Sequence, residues 1–484
     1  MTAKDTMESG TAGESFMLFT AGEAAALLGC GFRGNVDARI TSVAADSRAV
    51  VPGTLFVALP GERTDGHDYI APALRSGASC ILACSIRTEA VHAAFAGSEK
   101  DCALMLVENT LTALQTLARI HRERHPSLLR IGITGSSGKT TTKECIAAIL
   151  DRGRKVVMNP GNFNSDIGLS LSMFLINREH EIGVFEMGMN RAGEMKELAK
   201  VYEPDIALII NVGTAHIGIL GSRDAIAKEK KDIFSCFSGA GRGLVWEADD
   251  YNEYLKRDVA GFVGDFGEKS TPGYEGARAA GLEGFEIRWK GRTIRFPLPG
   301  WHNLLDALAA ISVALEAGAS EDDIVAGLES VKPLFGRSEI LHGRVTLIRD
   351  CYNANPESVE AVLDFCDSVE TVSRRIYVLG SMLELGTISE SAHAELGTRA
   401  GRSKAAALFF FGEETAVCAR KATEAGFAGT LWQGSDVESL KSALRSFVGS
   451  GDIVLVKGSR GMALERVVEC LPGFAGAKDA SHAS

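Results

Sequence analysis

The chain has 484 residues, 45% hydrophobic and 23% charged, with a net charge of −11. Length argues for about three domains, each with enough apolar residues to close a core. The acidic balance excludes the basic footprint of a nucleic-acid binder, and no apolar run reaches the ~20 residues of a membrane span.

Residues 1–16 are polar and acidic, without the basic start and apolar core of a secretory signal. Ten cysteines follow no framework; Cys80 and Cys84 are the closest pair, spaced neither as a redox motif nor as a zinc knuckle. They read as mostly buried small hydrophobes in a reducing compartment. The expectation is a cytoplasmic globular protein with flexible tails at 1–16 and 477–484.

In chain order, the first unit (17–125) mixes short strands and helices. "SVAADSRAVVPGTLFVALPG" predicts a strand, a polar turn at 46–48, a Pro-Gly turn, and an alternating strand over 55–59. A helix over 110–123 follows, and Pro126 supplies a break. The second unit (126–331) opens on "LLRIGITGSSGKTTTKECIAAIL", which reads as an apolar strand, a Gly/Ser loop and an amphipathic helix. Further strands at 182–186 and 205–212 alternate with helices, the pattern of a parallel sheet. In the third unit (332–476), strands at 344–349, 375–379, 406–411 and 453–456 alternate with helices and predict a second, Rossmann-like sheet. The fold class is thus three-domain α/β.

The strongest chemical feature is Gly135-Ser136-Ser137-Gly138-Lys139-Thr140-Thr141. It sits between a strand and a helix, as a phosphate-binding loop must. Glycines let backbone N–H groups curl toward phosphate oxygens, and the helix N-terminus adds partial positive charge. Lys139 can neutralise β- and γ-phosphates, and the Thr140 hydroxyl can ligate Mg²⁺. The match is to a short G-x-x-G-K-T variant, since Ile133 stands where the longer pattern has glycine. Glu186 ends one later strand and His216 follows another; ligands collect outside strand carboxyl ends, so both are placed at the same metal-phosphate centre. Histidine is an unusual magnesium ligand. Lys228, Lys230 and Lys231 read by themselves as a solvated helix face.

These strings resemble a family. "TGSSGKTTTKE", "GNFNSDIG", "FEMGMNRAGE", "NVGTAHIG" and "GWHNLLDALAA" are similar to the ATP-binding domain of the Mur ligases. "DSRAVVPGTLFVALPGERTDGHDYIAPALRSGA" resembles their UDP-sugar-binding first domain. "GRSEI", "DCYNANPESV", "GSMLELG" and "VLVKGSRGMALERVV" resemble their third. The Tyr-Asn-Ala-Asn-Pro, Glu-Leu-Gly and Lys-Gly-Ser-Arg-Gly-Met strings resemble the branch that joins D-alanyl-D-alanine to UDP-N-acetylmuramoyl-tripeptide, an ADP-forming step of peptidoglycan synthesis. The resemblance implies a monomeric ATP-dependent peptide ligase working through an acyl phosphate, with two Mg²⁺ ions.

The resemblance also implies roles. Lys139 holds phosphates, Thr140 and Glu186 ligate Mg²⁺, and His216 sits at the metal centre. Lys230 matches a lysine carbamylated in relatives, which turns a cation into an anionic metal ligand; that choice rests on the resemblance alone. His302 and Asn303 face adenine, Arg337 the γ-phosphate, and Asp350 the ribose or its surroundings. Ser47 and Arg48 face the uridine diphosphate, and Asn162, Asn164 and Ser165 the sugar-peptide. Tyr352, Asn353 and Asn355 share a loop that also fits ordinary Asn/Pro turn chemistry. Lys457, Ser459 and Arg460 face the dipeptide or phosphates. Departures from the family pattern include Ser165, Asp306, Ser381 and Trp246-Glu247. The alternatives are the family member that adds the third amino acid, a folylpolyglutamate synthase, and a non-catalytic nucleotide-binding protein.

Overall fold

The computed structural model describes residues 16–61 and 64–474. The tails expected at 1–16 and 477–484 lie outside these residues, Phe16 excepted.

The first unit holds β1 (Phe19–Thr20), β2 (Phe32–Gly34), β3 (Arg39–Ile40), β4 (Ser42–Ala44), β5 (Thr54–Val57), β6 (Cys80–Cys84) and β7 (Ala103–Val107). β1 pairs with β3, and the other five form a sheet ordered β2-β7-β6-β5-β4, parallel except for β2. β5 is buried along its whole length, as a strand covered on both faces must be, and it reads as a continuous run rather than an alternating one. The expected turn at 46–48 is a short 3₁₀ segment capped by Asp46. The helix Thr110–Glu123 is capped by Asn109 and buries Ala113, Leu114, Leu117 and Ala118 at helical spacing. It packs on helices Asp166–Met173 and Glu194–Tyr202 of the second unit.

The central sheet comprises β8 (Leu129–Thr134), β9 (Val156–Met158), β10 (Ile182–Glu186), β11 (Ile206–Ile209), β12 (Arg242–Trp246) and β13 (Phe262–Phe266). Its order is β13-β12-β11-β8-β10-β9, all parallel, with β8 inside. Helix Trp301–Glu316 buries Leu304, Leu308 and Ile311 in the cluster that also holds Ile146 and Ile149 of helix Lys139–Leu150. This packing holds helix Trp301–Glu316 beside helix Lys139–Leu150, which begins just past β8.

A three-stranded antiparallel sheet, β14 (Tyr274–Ala279), β15 (Phe285–Trp289) and β16 (Arg292–Phe296), was not anticipated. Its hairpin closes through Lys290 and Gly291, both at positive φ, as a tight two-residue turn requires.

The third sheet comprises β17 (Glu339–His342), β18 (Thr346–Asp350), β19 (Arg375–Gly380), β20 (Ala407–Phe411), β21 (Thr430–Gly434) and β22 (Ile453–Lys457), ordered β17-β18-β22-β19-β20-β21. It is parallel apart from the edge strand β17. All ten cysteines are free and seven are buried.

Candidate active site

The loop between β8 and helix Lys139–Leu150 is shaped from within and from its neighbour. Gly138 caps the helix at φ 82, and a Cβ there would meet Asp306 Oδ1 at 2.3 Å. Asn211, just past β11, accepts the N–H groups of Ser136 and Ser137 on Oδ1 at 2.9 and 3.0 Å. Lys139 Nζ donates to Gly135 O at 2.8 Å. Burial pushes its ammonium down, opposed by Glu186 and reinforced by Arg337.

Glu186 ends β10 fully buried. Its Oε2 accepts from Thr140 Oγ1 at 2.7 Å and its Oε1 from Asn164 Nδ2 at 2.6 Å. Asn159 holds its backbone on both sides, donating to Glu186 O and accepting from Glu186 N. Burial works against the charge of Glu186, but Lys139, Arg337, Lys143 and Thr140 together keep its carboxyl below the usual range. Thr140 and Glu186 therefore present two hard oxygen donors side by side, a set that fits Mg²⁺.

His216 lines the same cleft, but its Nδ1 lies 3.1 Å from Glu384 Oε2, out of line for a hydrogen bond. Among the described residues no three His, Cys, Asp or Glu side chains gather as a metal-binding group. The four expected metal residues thus divide: Thr140 and Glu186 meet, while His216 faces Glu384. Lys230 is buried in the last turn of helix Arg223–Lys231 and makes no side-chain hydrogen bond among the described residues. Burial, with Lys139 adding to it, pushes its ammonium well below the usual lysine range. Lys228 is exposed, and Lys231 Nζ donates to Tyr254 O and Arg257 O.

Two connected cavities meet at the phosphate loop. The smaller, about 490 Å³, runs past Asn162, Asn164, Glu186 and Arg337 to Lys457 and Arg460. The larger, about 1400 Å³, opens between Trp246, Tyr274, Trp301 and His302. Burial pushes the His302 imidazole down to about 4, so it is neutral near pH 7, and its Nε2 lies 3.0 Å from Ser338 Oγ. The Asn303 amide donates to Pro299 O at 2.6 Å.

Arg337 lies close enough to Glu186 and Lys139 to perturb both, and its guanidinium stacks 4.0 Å over Tyr352. The third unit therefore already closes over the phosphate loop.

Other expected ligands have partners within the protein. Asp350 Oδ2 pairs with Lys457 Nζ at 2.8 Å and its Oδ1 accepts from Ser338 N, so neither Asp350 nor Lys457 offers an uncompensated charge. Ser459 Oγ bridges Ala354 O and Leu383 N. Arg460 pairs with Glu465. Asn355 caps helix Pro356–Ser368 in a capping box with Ser358, and Asn353 Oδ1 accepts from Ala354 N; this is turn and cap chemistry. Ser165 caps helix Asp166–Met173. Ser47 and Arg48 lie outside both cavities, with Arg48 paired to Asp46 and facing solvent.

Sequence reasoning missed Asn211, Asn159 and Lys143, whose Nζ donates to Asn159 O at 2.8 Å. It flagged Asp306 only as a departure. That carboxyl is buried against the loop, accepts from Thr142 Oγ1, and is raised well above the usual range by burial.

Three family models match this chain in order: the Mur ligase family catalytic domain over 39–122, the Mur ligase middle domain over 133–314, and the Mur ligase glutamate ligase domain over 336–460. A UDP-N-acetylmuramoyl-tripeptide–D-alanyl-D-alanine ligase of Treponema pallidum is 42% identical, covering 88% of this chain and 92% of its own. The chain belongs to the Mur ligase family. A ligase of the same name from Bacillus subtilis is 33% identical, covering 89% and 93%. Among solved structures, MurF from Acinetobacter baumannii superposes with a TM-score of 0.81 at 28% identity, covering 93% of this chain and 97% of that one. MurF from Thermotoga maritima in complex with ADP gives 0.75 at 29%, covering 89% and 96%. Family membership accounts for the order of the three units and for the cleft where the second and third meet.

Proposed function

We propose that this Mur ligase joins D-alanyl-D-alanine to UDP-N-acetylmuramoyl-tripeptide at the expense of ATP, releasing ADP and phosphate. The observation that carries the reading is the convergence of the phosphate loop, the Thr140–Glu186 pair and Arg337 of the third unit in one cleft. The relatives' shared name supplies the substrates.

A carboxylate is a poor electrophile until one oxygen becomes a good leaving group. The peptide carboxylate attacks the γ-phosphorus, ADP leaves, and the amine of the dipeptide attacks the resulting acyl phosphate. A tetrahedral intermediate then expels phosphate. Three anionic reactants must be brought together, so proximity and charge stabilisation supply most of the acceleration. Lys139 and Arg337 approach the transferred phosphoryl group from two units, and the N–H groups at the start of helix Lys139–Leu150, beyond the pair held by Asn211, cradle its neighbours. Magnesium held by Thr140 and Glu186 would supply additional charge neutralisation. The neutral His302 and the wide cavity beyond it suit a nucleobase.

We further propose that Lys230 is carbamylated. A carbamate forms when a neutral amine adds to dissolved CO₂ and gives up a proton to solvent, and a buried lysine without a hydrogen-bond partner among the described residues is a suitable amine. Domain limits at 17–125, 126–331 and 332–476, a monomeric state and a cytoplasmic setting belong to the same reading; no helix among the described residues is long and apolar enough to cross a membrane.

Phosphate release with D-alanyl-D-alanine, compared with single amino acids, tests the assignment. Turnover with the dipeptide alone is expected; turnover only with a single amino acid would move the chain to another branch of the family.

A further inference from the structure

One carboxylate in the cleft takes no part in the chemistry above. Glu357 lies in the first turn of helix Pro356–Ser368, in the third unit, yet both its oxygens are engaged by the second. Oε1 accepts from Thr214 N at 2.7 Å and Oε2 from Thr214 Oγ1 at 3.0 Å. Two contacts from one carboxylate to one residue fix orientation as well as separation.

The segment it grips is tied to the phosphate loop. Gly213 N donates to Ser136 Oγ at 2.8 Å, and Asn211 Oδ1 accepts from Ser136 N at 2.9 Å. A Cβ on Gly213 would come 2.8 Å from the Glu357 carboxyl carbon, so the fit depends on glycine there. Residues 211–214 are thus held by the phosphate loop at one end and by Glu357 at the other. On the far side, helix Pro356–Ser368 begins four residues after Tyr352, the ring on which Arg337 stacks. The capping box of Asn355 and Ser358 and the proline at its first turn make that junction stiff.

We propose that Glu357 is a positioning residue that couples the shape of the phosphate loop, through Ser136, Gly213 and Thr214, to the seating of the third unit and so to the placement of Arg337. This rests on the ligase reading only where turnover is measured. A correctly held phosphate loop presents Thr214 to Glu357; a displaced one withdraws it, and the arginine retreats with its domain. The coupling is a free-energy link between two sites, so weakening either end weakens the other.

The test uses small-angle scattering with a non-hydrolysable ATP analogue, together with steady-state kinetics, on the parent, Glu357→Ala, Glu357→Gln, Ser136→Ala and the double variant Ser136→Ala/Glu357→Ala. Glu357→Ala is expected to scatter as a larger particle than the parent in the presence of the analogue. Its kcat should fall roughly tenfold to a hundredfold, the effect of losing hydrogen bonds to a charged group. Glu357→Gln, which keeps an acceptor and can donate to Thr214 Oγ1, should recover most of the compaction. The double variant should be no worse than about twofold below the poorer single one, because both substitutions cut the same chain of contacts. If Glu357→Ala does not fold, Thr214→Val, which removes only the hydroxyl contact, should show the same enlargement to a smaller degree. Parent-like compaction and kcat in Glu357→Ala or, in its absence, Thr214→Val would overturn the proposal, as would independent, multiplying effects of Ser136→Ala and Glu357→Ala. A parent that compacts with the analogue but releases no phosphate with the dipeptide would reject the ligase reading and leave the coupling standing.

Discussion

Lys139→Met separates the two things a buried cation does. Lys139 is partly buried and its ammonium is pushed down by that burial, so the charge is a burden on the fold. One of its three N–H donors goes to Gly135 O, leaving two for phosphate oxygens. Two hydrogen bonds to charged groups are worth about 1.5–3 kcal/mol each, or about 3–6 kcal/mol together. At about 1.4 kcal/mol per decade, turnover should fall between about a hundredfold and ten-thousandfold. Methionine keeps most of the side-chain volume and removes the charge, so the urea midpoint of the apo-protein should stay level or rise. The assay is phosphate release at saturating substrates beside an unfolding curve. A variant that keeps more than a tenth of the parent's turnover would refute the phosphate-loop chemistry.

Lys230→Ala should be nearly inactive and partly rescued by a short added carboxylate, which can occupy the space and supply the missing oxygen donor; unchanged turnover would remove Lys230 from the site. Asn211→Leu leaves the Ser137 N–H without its acceptor and the Ser136 N–H with only the backbone carbonyl of residue 211, at about 1–3 kcal/mol for the lost partner; calorimetric titration should show ADP binding at least tenfold weaker. His121 is buried between Phe19 and Phe174, and burial pushes it down to about 4 from an ordinary 6.5. The folded state holds it neutral while the unfolded chain protonates it below about 6.5. Its contribution is therefore intact above 6.5 and is lost as pH falls toward 4, by up to about 3 kcal/mol. Urea midpoints at pH 7.5 and 5 should differ less in His121→Phe than in the parent; an equal difference would reject this source of acid sensitivity.

Much of the scaffold is legible in the chain because local signals and tertiary context agree. The helix Thr110–Glu123 and the strand Ile182–Glu186 have the expected limits, since a cap, a break or a buried run marks each. The phosphate loop is equally clear, because only glycines and a following helix make that shape. The hairpin from β15 to β16 carries only a short local signal, Lys290-Gly291 between alternating strands.

Asn211 was out of reach for a different reason. It acts on a loop 75 residues earlier in the chain, and no local spacing encodes that meeting. Polar residues assigned to ligands from motifs alone divided by what surrounds them. Glu186 stands among cations and donors, whereas Ser165 and Asn355 cap helices, and Asp350 and Lys457 neutralise each other. A string of residues indicates chemistry, but the partner that satisfies each group is chosen by the fold.

Mass spectrometry of the nucleotide product tests the central claim most directly. Purified protein with ATP, magnesium, UDP-N-acetylmuramoyl-tripeptide and D-alanyl-D-alanine should yield the precursor extended by one alanyl-alanine unit, with one ADP per product. An unextended precursor, or extension by a single amino acid supplied in place of the dipeptide, would contradict it.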